Sequence, residues 1–98
     1  MIEVFAKKRG GYYRLYVTGH ADYAPGHDIV CAGVSALTGA LLAFAQERAE
    51  CRHLRQMAQH GELFLCCRGG LGSAFDAVML GLVGISRAYP GHVRVQLL

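Results

Sequence analysis

From Ile29 to about Cys51, Val30, Val34, Leu37, Leu41 and Phe44 recur at spacings of three and four, with Ala32, Ala36, Ala40 and Ala43 beside them. The pattern predicts a long, largely buried helix, and its alanines let neighbours pack closely. In a chain of 98 residues there is room for one domain and one modest core to cover it. The hydrophobic share is 53% and the mean hydropathy +0.27, high for so small a body. The apolar surface left over leads us to expect a homodimer.

The flanks of the helix read as strands. Ile2, Val4 and Ala6 alternate with Glu3, Phe5 and Lys7; Gly10-Gly11 supplies a turn; Tyr13, Leu15 and Val17 alternate with Arg14, Tyr16 and Thr18. Beyond Cys51, residues 53–59 are weakly strand-like, His60-Gly61 marks a turn, and Glu62 to Cys67 is a second strand. Ser73-Ala74-Phe75-Asp76 resembles a capping box opening a helix that carries Phe75, Val78, Met79, Leu82, Val83 and Ile85 and stops at Pro90-Gly91. Val93, Val95 and Leu97 close the chain as a last strand. The order ββαββαβ over residues 1–98 predicts a single α+β domain, an α/β sandwich with a mostly antiparallel sheet.

Ten Lys and Arg against seven Asp and Glu give a net charge of +3, with the basic residues scattered along the chain. There is no basic stripe, so stable nucleic-acid binding is not expected. Cys31, Cys51, Cys66 and Cys67 form no C-x-x-C pair, and the N-terminus opens on a strand rather than a signal peptide. Reduced thiols in the cytoplasm are expected. The longest nearly apolar stretch, Ala32 to Ala45, falls short of the roughly 20 residues that cross a bilayer, so no membrane span is expected. Cys51, His53, His60 and Cys66 match no usual zinc spacing, and Gly69-Gly70-Leu71-Gly72-Ser73 lacks the Lys-Ser/Thr of a phosphate loop. No metal or cofactor is expected.

Gly19-His20-Ala21 ends the second strand, and Asp28-Ile29-Val30-Cys31 opens the long helix. This places an imidazole and a thiol where one loop can bring them together. A thiol attacks carbonyls as the thiolate, which a helix N-terminus and an adjacent base both favour. Cys31 is the candidate nucleophile and His20 the candidate base; His27 competes for that role from the loop but reads as an exposed residue. Asp28 is cast as a helix cap or as the group that orients His20, and Ser35, one turn beyond Cys31, as support. The helix start also offers N–H groups to a developing oxyanion.

These residues resemble the signature of the bacterial ribosomal-processing cysteine proteases called Prp: Gly19-His20-Ala21, Gly26 in a variable loop, then Asp28-Ile29-Val30-Cys31-Ala32-Gly33-Val34-Ser35-Ala36-Leu37. Gly33 departs from the alanine of the pattern, and the loop is somewhat short for the family. The resemblance implies a cysteine endopeptidase that removes the N-terminal extension from the precursor of large-subunit ribosomal protein L twenty-seven. It also implies a compact homodimer without cofactor, with Cys31 as nucleophile, His20 as base, and a loop of Asp22, Tyr23, Gly26 and His27 that closes over the peptide. An extended apolar peptide pairing with a sheet edge is expected, with Tyr12, Tyr13, Tyr16 or Tyr23 lining its pockets.

Two other functions use the same features. One is a ribosome-associated binding module without catalysis, holding RNA or protein on its basic, tyrosine-bearing surface. The other is a thiol-dependent hydrolase or acyltransferase that reuses the dyad on a thioester.

Overall fold

Alternation in the first hairpin persists from end to end in the computed structural model, which describes residues 1–24, 26 and 28–98. β1 (Ile2–Arg9) buries Ile2, Val4 and Ala6, and β2 (Tyr12–Gly19) buries Tyr13, Leu15 and Val17 on the same face. The two-residue turn between them holds Gly10 and Gly11 at φ 54° and 80°, the left-handed geometry that matches the twist of a tight hairpin.

α1 (Ile29–Gln46) follows, then β3 (Arg52–Gln59), β4 (Glu62–Arg68), α2 (Gly72–Ala88) and β5 (Val93–Leu97). The sheet order is β3-β4-β2-β1-β5, with antiparallel pairs except β1 with β5, which is parallel. Both helices cover one face: Val30, Val34 and Leu41 of α1 and Phe75, Val78, Met79 and Leu82 of α2 share one core with the inward strand residues. The expected α+β sandwich and element order are present.

By length and hydropathy alone α1 could cross a bilayer, at 18 residues and mean hydropathy 1.8. Here it is the core helix on the sheet. It stops five residues before Cys51, because apolar positions run out at Ala45 and Glu47 caps the end. Residues 47–50 then turn, and Cys51 enters the core from outside the helix. The Gly33 departure has a packing reason: a Cβ there would stand 3.3 Å from Ile85 Cδ1 of α2. Where the two helices cross, Gly81 likewise leaves room for Leu37.

The capping box at Ser73 does not form. α2 starts one residue earlier, its cap residue is Leu71 with no side-chain hydrogen bond, and the Asp76 carboxylate pairs with Lys8 Nζ at 2.9 Å. Burying Leu71 in the core sets that start and puts Ser73 inside the first turn. Of the adjacent cysteines, Cys67 lies in the core and Cys66 on the opposite face, both buried. Burial pushes the Cys67 thiol up to about 11, so it stays protonated and unreactive at neutral pH.

Candidate active site

The sheet order assembles the site. β4 pairs antiparallel with β2, matching Thr18 with Glu62, so the β3–β4 turn at His60-Gly61 lies beside the end of β2, where the chain leaves for α1. Gly19 terminates β2 at φ 100° and donates its N–H to the Gly61 carbonyl at 3.0 Å. His20 follows, exposed, with its ring 5.0 Å from the His60 ring. A Cβ on Gly61 would come within 3.0 Å of His20 Nε2, so this glycine makes room for the imidazole.

His20 and Cys31 face one cavity of about 220 Å³ between the start of α1 and the end of the β3–β4 hairpin. Val34, Ser35 and Thr38 of α1 form one wall, and Ala58, Gln59, His60 and Gly61 the other. The volume takes a side chain rather than a whole small molecule. The Cys31 sulfur accepts a hydrogen bond from the Ala21 N–H at 3.3 Å. Among the described residues no hydrogen bond joins Cys31 to His20. A fixed N–H aimed at the sulfur holds it in place and needs no reorganisation during a reaction there.

Asp28 caps α1. Its Oδ1 accepts from the N–H groups of Val30 and Cys31, each at 3.0 Å, and its Oδ2 from Tyr23 N–H at 3.0 Å. Of the two roles foreseen for it, capping is the one the geometry holds, since both oxygens are used without His20. The same contacts correct the expected oxyanion site: the Val30 and Cys31 amides already serve Asp28, and Ala32 N–H bonds the Asp28 carbonyl. The Ala21 N–H is the backbone donor that faces the sulfur.

The Cys31 amide above all holds the Asp28 carboxyl below its usual range; burial opposes it, and the amides of Tyr23, Ala24 and Val30 add to the lowering. A depressed folded pKa gives stability that is fully present above the unfolded value and lost as pH falls through the folded one. The melting temperature of Asp28→Asn should therefore lie below wild type at neutral pH, and the gap should close as pH falls from about 5 through and below the ordinary carboxylate range. A gap independent of pH over that range would show that the charge plays no part.

The loop residues separate. The Asp22 carboxylate is exposed and lies 3.5 Å from the Met1 amino group, with φ 55°. Tyr23 turns away from the cavity and meets Tyr89 and His92 edge-on, its centroid 5.2 Å from each. Gly26 is exposed at φ 82°, and His27 lies outside the described residues. None of the four tyrosines lines the Cys31 cavity: Tyr13 packs on Phe75 in the core, and Tyr12 and Tyr16 project from the helix-free face of the sheet. Strand parity sends them there.

His92 is the residue that sequence reading missed entirely. Its Nδ1–H donates to the Ala21 carbonyl at 2.8 Å, and its own carbonyl accepts from Ile2 N–H. Ala21 is thus held from the β5 side while its N–H holds the Cys31 sulfur. His92→Phe keeps the ring beside Tyr23 but loses that bond, and should lower kcat about tenfold with KM little changed. His92→Asn, which can donate in its place, should recover part of the loss; equal rates for all three proteins would remove the assignment.

Comparison with known proteins gives the geometry its context. A search of curated proteins finds no match. The crystal structure of the essential ribosomal processing protease Prp from S. aureus, in complex with a covalently linked product peptide, superposes with TM-score 0.77 at 25% identity, covering 100% of both chains. SMU.848 from Streptococcus mutans superposes with TM-score 0.73 at 27% identity, over 100% of this chain and 94% of that one. The S. aureus protease in complex with a substrate peptide shares the fold, with TM-score 0.72 and 24% identity over 100% of both chains. The family model described as Cysteine protease Prp matches residues 1–94, and with a thiol and an imidazole facing one slot at the end of the sheet, this chain belongs to the Prp family of cysteine proteases.

Proposed function

We propose that this protease removes the N-terminal extension from the precursor of large-subunit ribosomal protein L twenty-seven, with Cys31 as nucleophile and His20 as general base. The observation that carries the reading is the shared slot of Cys31 and His20, with the Ala21 N–H on the sulfur, in a chain that folds like a ribosomal processing protease. The His20 ring takes the thiol proton, the sulfur attacks the scissile carbonyl, and the imidazolium returns the proton to the leaving amine. Water then releases the acyl group from sulfur. The His60–Gly61 turn sets where the ring sits.

The peptide's path follows from the edge strand. β3 is an outer strand of the sheet, and its inward Ala58 is exposed beside the catalytic cavity. An extended apolar peptide laid between β3 and α1 reaches Cys31 with its backbone available to the free edge. At the far end of this groove Gln46 of α1 bonds Gln56 of β3 and closes it. Asp22, Tyr23 and Gly26 belong to the loop that closes over the bound peptide; His27, expected in the same loop, lies outside the described residues. This work takes place in the cytoplasm, where the precursor is made.

The active form in this reading is a homodimer. Leu80, Leu97 and Leu98 are 75%, 73% and 68% exposed around the outer edge of β5, too much apolar surface for one small patch to leave in water. A two-fold axis beside β5 pairs it antiparallel with its copy and covers the leucines. Sedimentation should give a dimer for the wild type and a monomer for the Leu80→Arg, Leu97→Arg double variant.

The direct experiment is to incubate the protein with full-length precursor and with precursor already lacking its extension, and to read product masses. One cut that releases the extension, with the shortened protein left intact, is the expected result. Failure to cut the precursor, with a generic apolar peptide cleaved, would leave a protease of another substrate.

A further inference from the structure

The helices cover one face of the sheet, and among the described residues no element covers the other. Strand parity places on that face seven of the ten Lys and Arg residues, among them Lys7, Arg14, Arg55 and Arg68, and two of the seven acids, Glu3 and Glu62. Both acids are engaged, Glu3 by Arg94 at 3.0 Å and Glu62 by Tyr16 and Gln59. The basic residues that look scattered along the chain are gathered by folding into one cationic surface.

Aromatic rings run across the same face. Phe5, Tyr16 and Phe64 are direct cross-strand neighbours on β1, β2 and β4, with centroids 6.2 Å and 6.5 Å apart. Arg14 lies over the Phe64 ring at 5.6 Å and Arg68 over Tyr12 at 5.3 Å. Two hollows open between these groups: about 280 Å³ among Lys7, Arg9, Tyr12 and Arg68, and about 300 Å³ beside Phe5, Arg14 and Tyr16.

We propose that this helix-free face binds single-stranded RNA, with bases stacked on the Phe5–Tyr16–Phe64 row and phosphates held by Lys7, Arg14, Arg55 and Arg68. A row of π-faces bordered by guanidinium groups is the chemistry that takes unpaired bases and their backbone. A second copy is disfavoured on this face because a two-fold would set cation against cation. The binding of a nucleic acid stands on the face alone; the choice of RNA over DNA rests on the ribosomal substrate proposed above, whose surroundings are RNA.

The test is fluorescence polarisation of the whole chain with a labelled mixed-sequence RNA of roughly ten nucleotides. Four phosphate contacts predict that log K falls with log salt at a slope of about −3. The Arg14→Glu, Arg68→Glu double variant should bind at least tenfold more weakly with a slope shallower by about 1.4, and should cleave the precursor peptide at the wild-type rate. Phe64→Ala should weaken binding roughly tenfold without changing the slope. No binding at low salt, undiminished binding by the double variant, or tighter binding of the matching DNA or of a poly-glutamate peptide would overturn the proposal. So would conversion of a dimer to a monomer by the double variant, which would give the face to a second copy. Because binding and cleavage are read separately, loss of precursor cleavage with RNA binding intact counts against the substrate reading only.

Discussion

Serine in place of Cys31 should lower precursor cleavage by a factor on the order of 10⁴ or more, with the fold unchanged. The side chain is half-buried, and serine alters it by one atom. The chemistry does not tolerate that atom. A hydroxyl must lose a far less acidic proton than a thiol, and serine enzymes manage it with a carboxylate behind the histidine. Here the carboxylates near the site are committed elsewhere: Asp28 to the Val30, Cys31 and Tyr23 amides, Glu62 to Tyr16 and Gln59. His20 is flanked by His60 and Gly61 instead. An unassisted imidazole suits a thiol, whose proton it can take without a third partner, and falls short for serine. The shorter C–O bond also draws the nucleophile back from the Ala21 N–H. Product masses over time give the rate, and thermal melting checks the fold. A Cys31→Ser rate within tenfold of wild type would exclude Cys31 as the nucleophile.

What the chain revealed before folding, and what it withheld, divides along contact distance. Alternation in β1 and β2, the three-and-four spacing of α1 and the Gly10-Gly11 turn are local patterns, and each gave its element. The Asp28 cap and its neighbour Cys31 are three residues apart and were equally visible. His92 lies 71 residues beyond Ala21, and His60 lies 40 beyond His20, so only the sheet order brings them in. The β4-β2-β1-β5 arrangement is a result of how the hairpins pack, which periodicity does not encode. The oxyanion expectation failed for a local reason: the residue that starts the helix also consumes the N–H groups that the helix start would offer. The basic face escaped notice because alternate residues on five strands are far apart in sequence and adjacent in the sheet.

Gly19→Ala should cost on the order of 3 kcal/mol of stability, lower the melting temperature by about 12 °C or more, and nearly abolish cleavage. Two effects add. At φ 100° an L side chain is strained whatever its surroundings, and here the added Cβ would collide with the Met1 carbonyl oxygen, a backbone atom that cannot swing aside. Gly11→Ala separates the two effects. It sits at φ 80° with no atom near its Cβ, so it carries conformational strain alone and should cost about 1 kcal/mol with cleavage retained. Relief of the Gly19 clash must move either β2 or the start of β1, and both movements reach the site. Shifting β2 stretches the Gly19 N–H bond to Gly61, on which the His20 ring rests. Shifting Met1 and Ile2 pulls on the Ile2 N–H bond to His92, and through His92 on Ala21 and the N–H that holds the Cys31 sulfur. The first glycine of Gly-His-Ala therefore positions both the imidazole and the thiol. Gly19→Ala with Gly11-like stability and a wild-type cleavage rate would show that the turn into the loop bears no catalytic constraint.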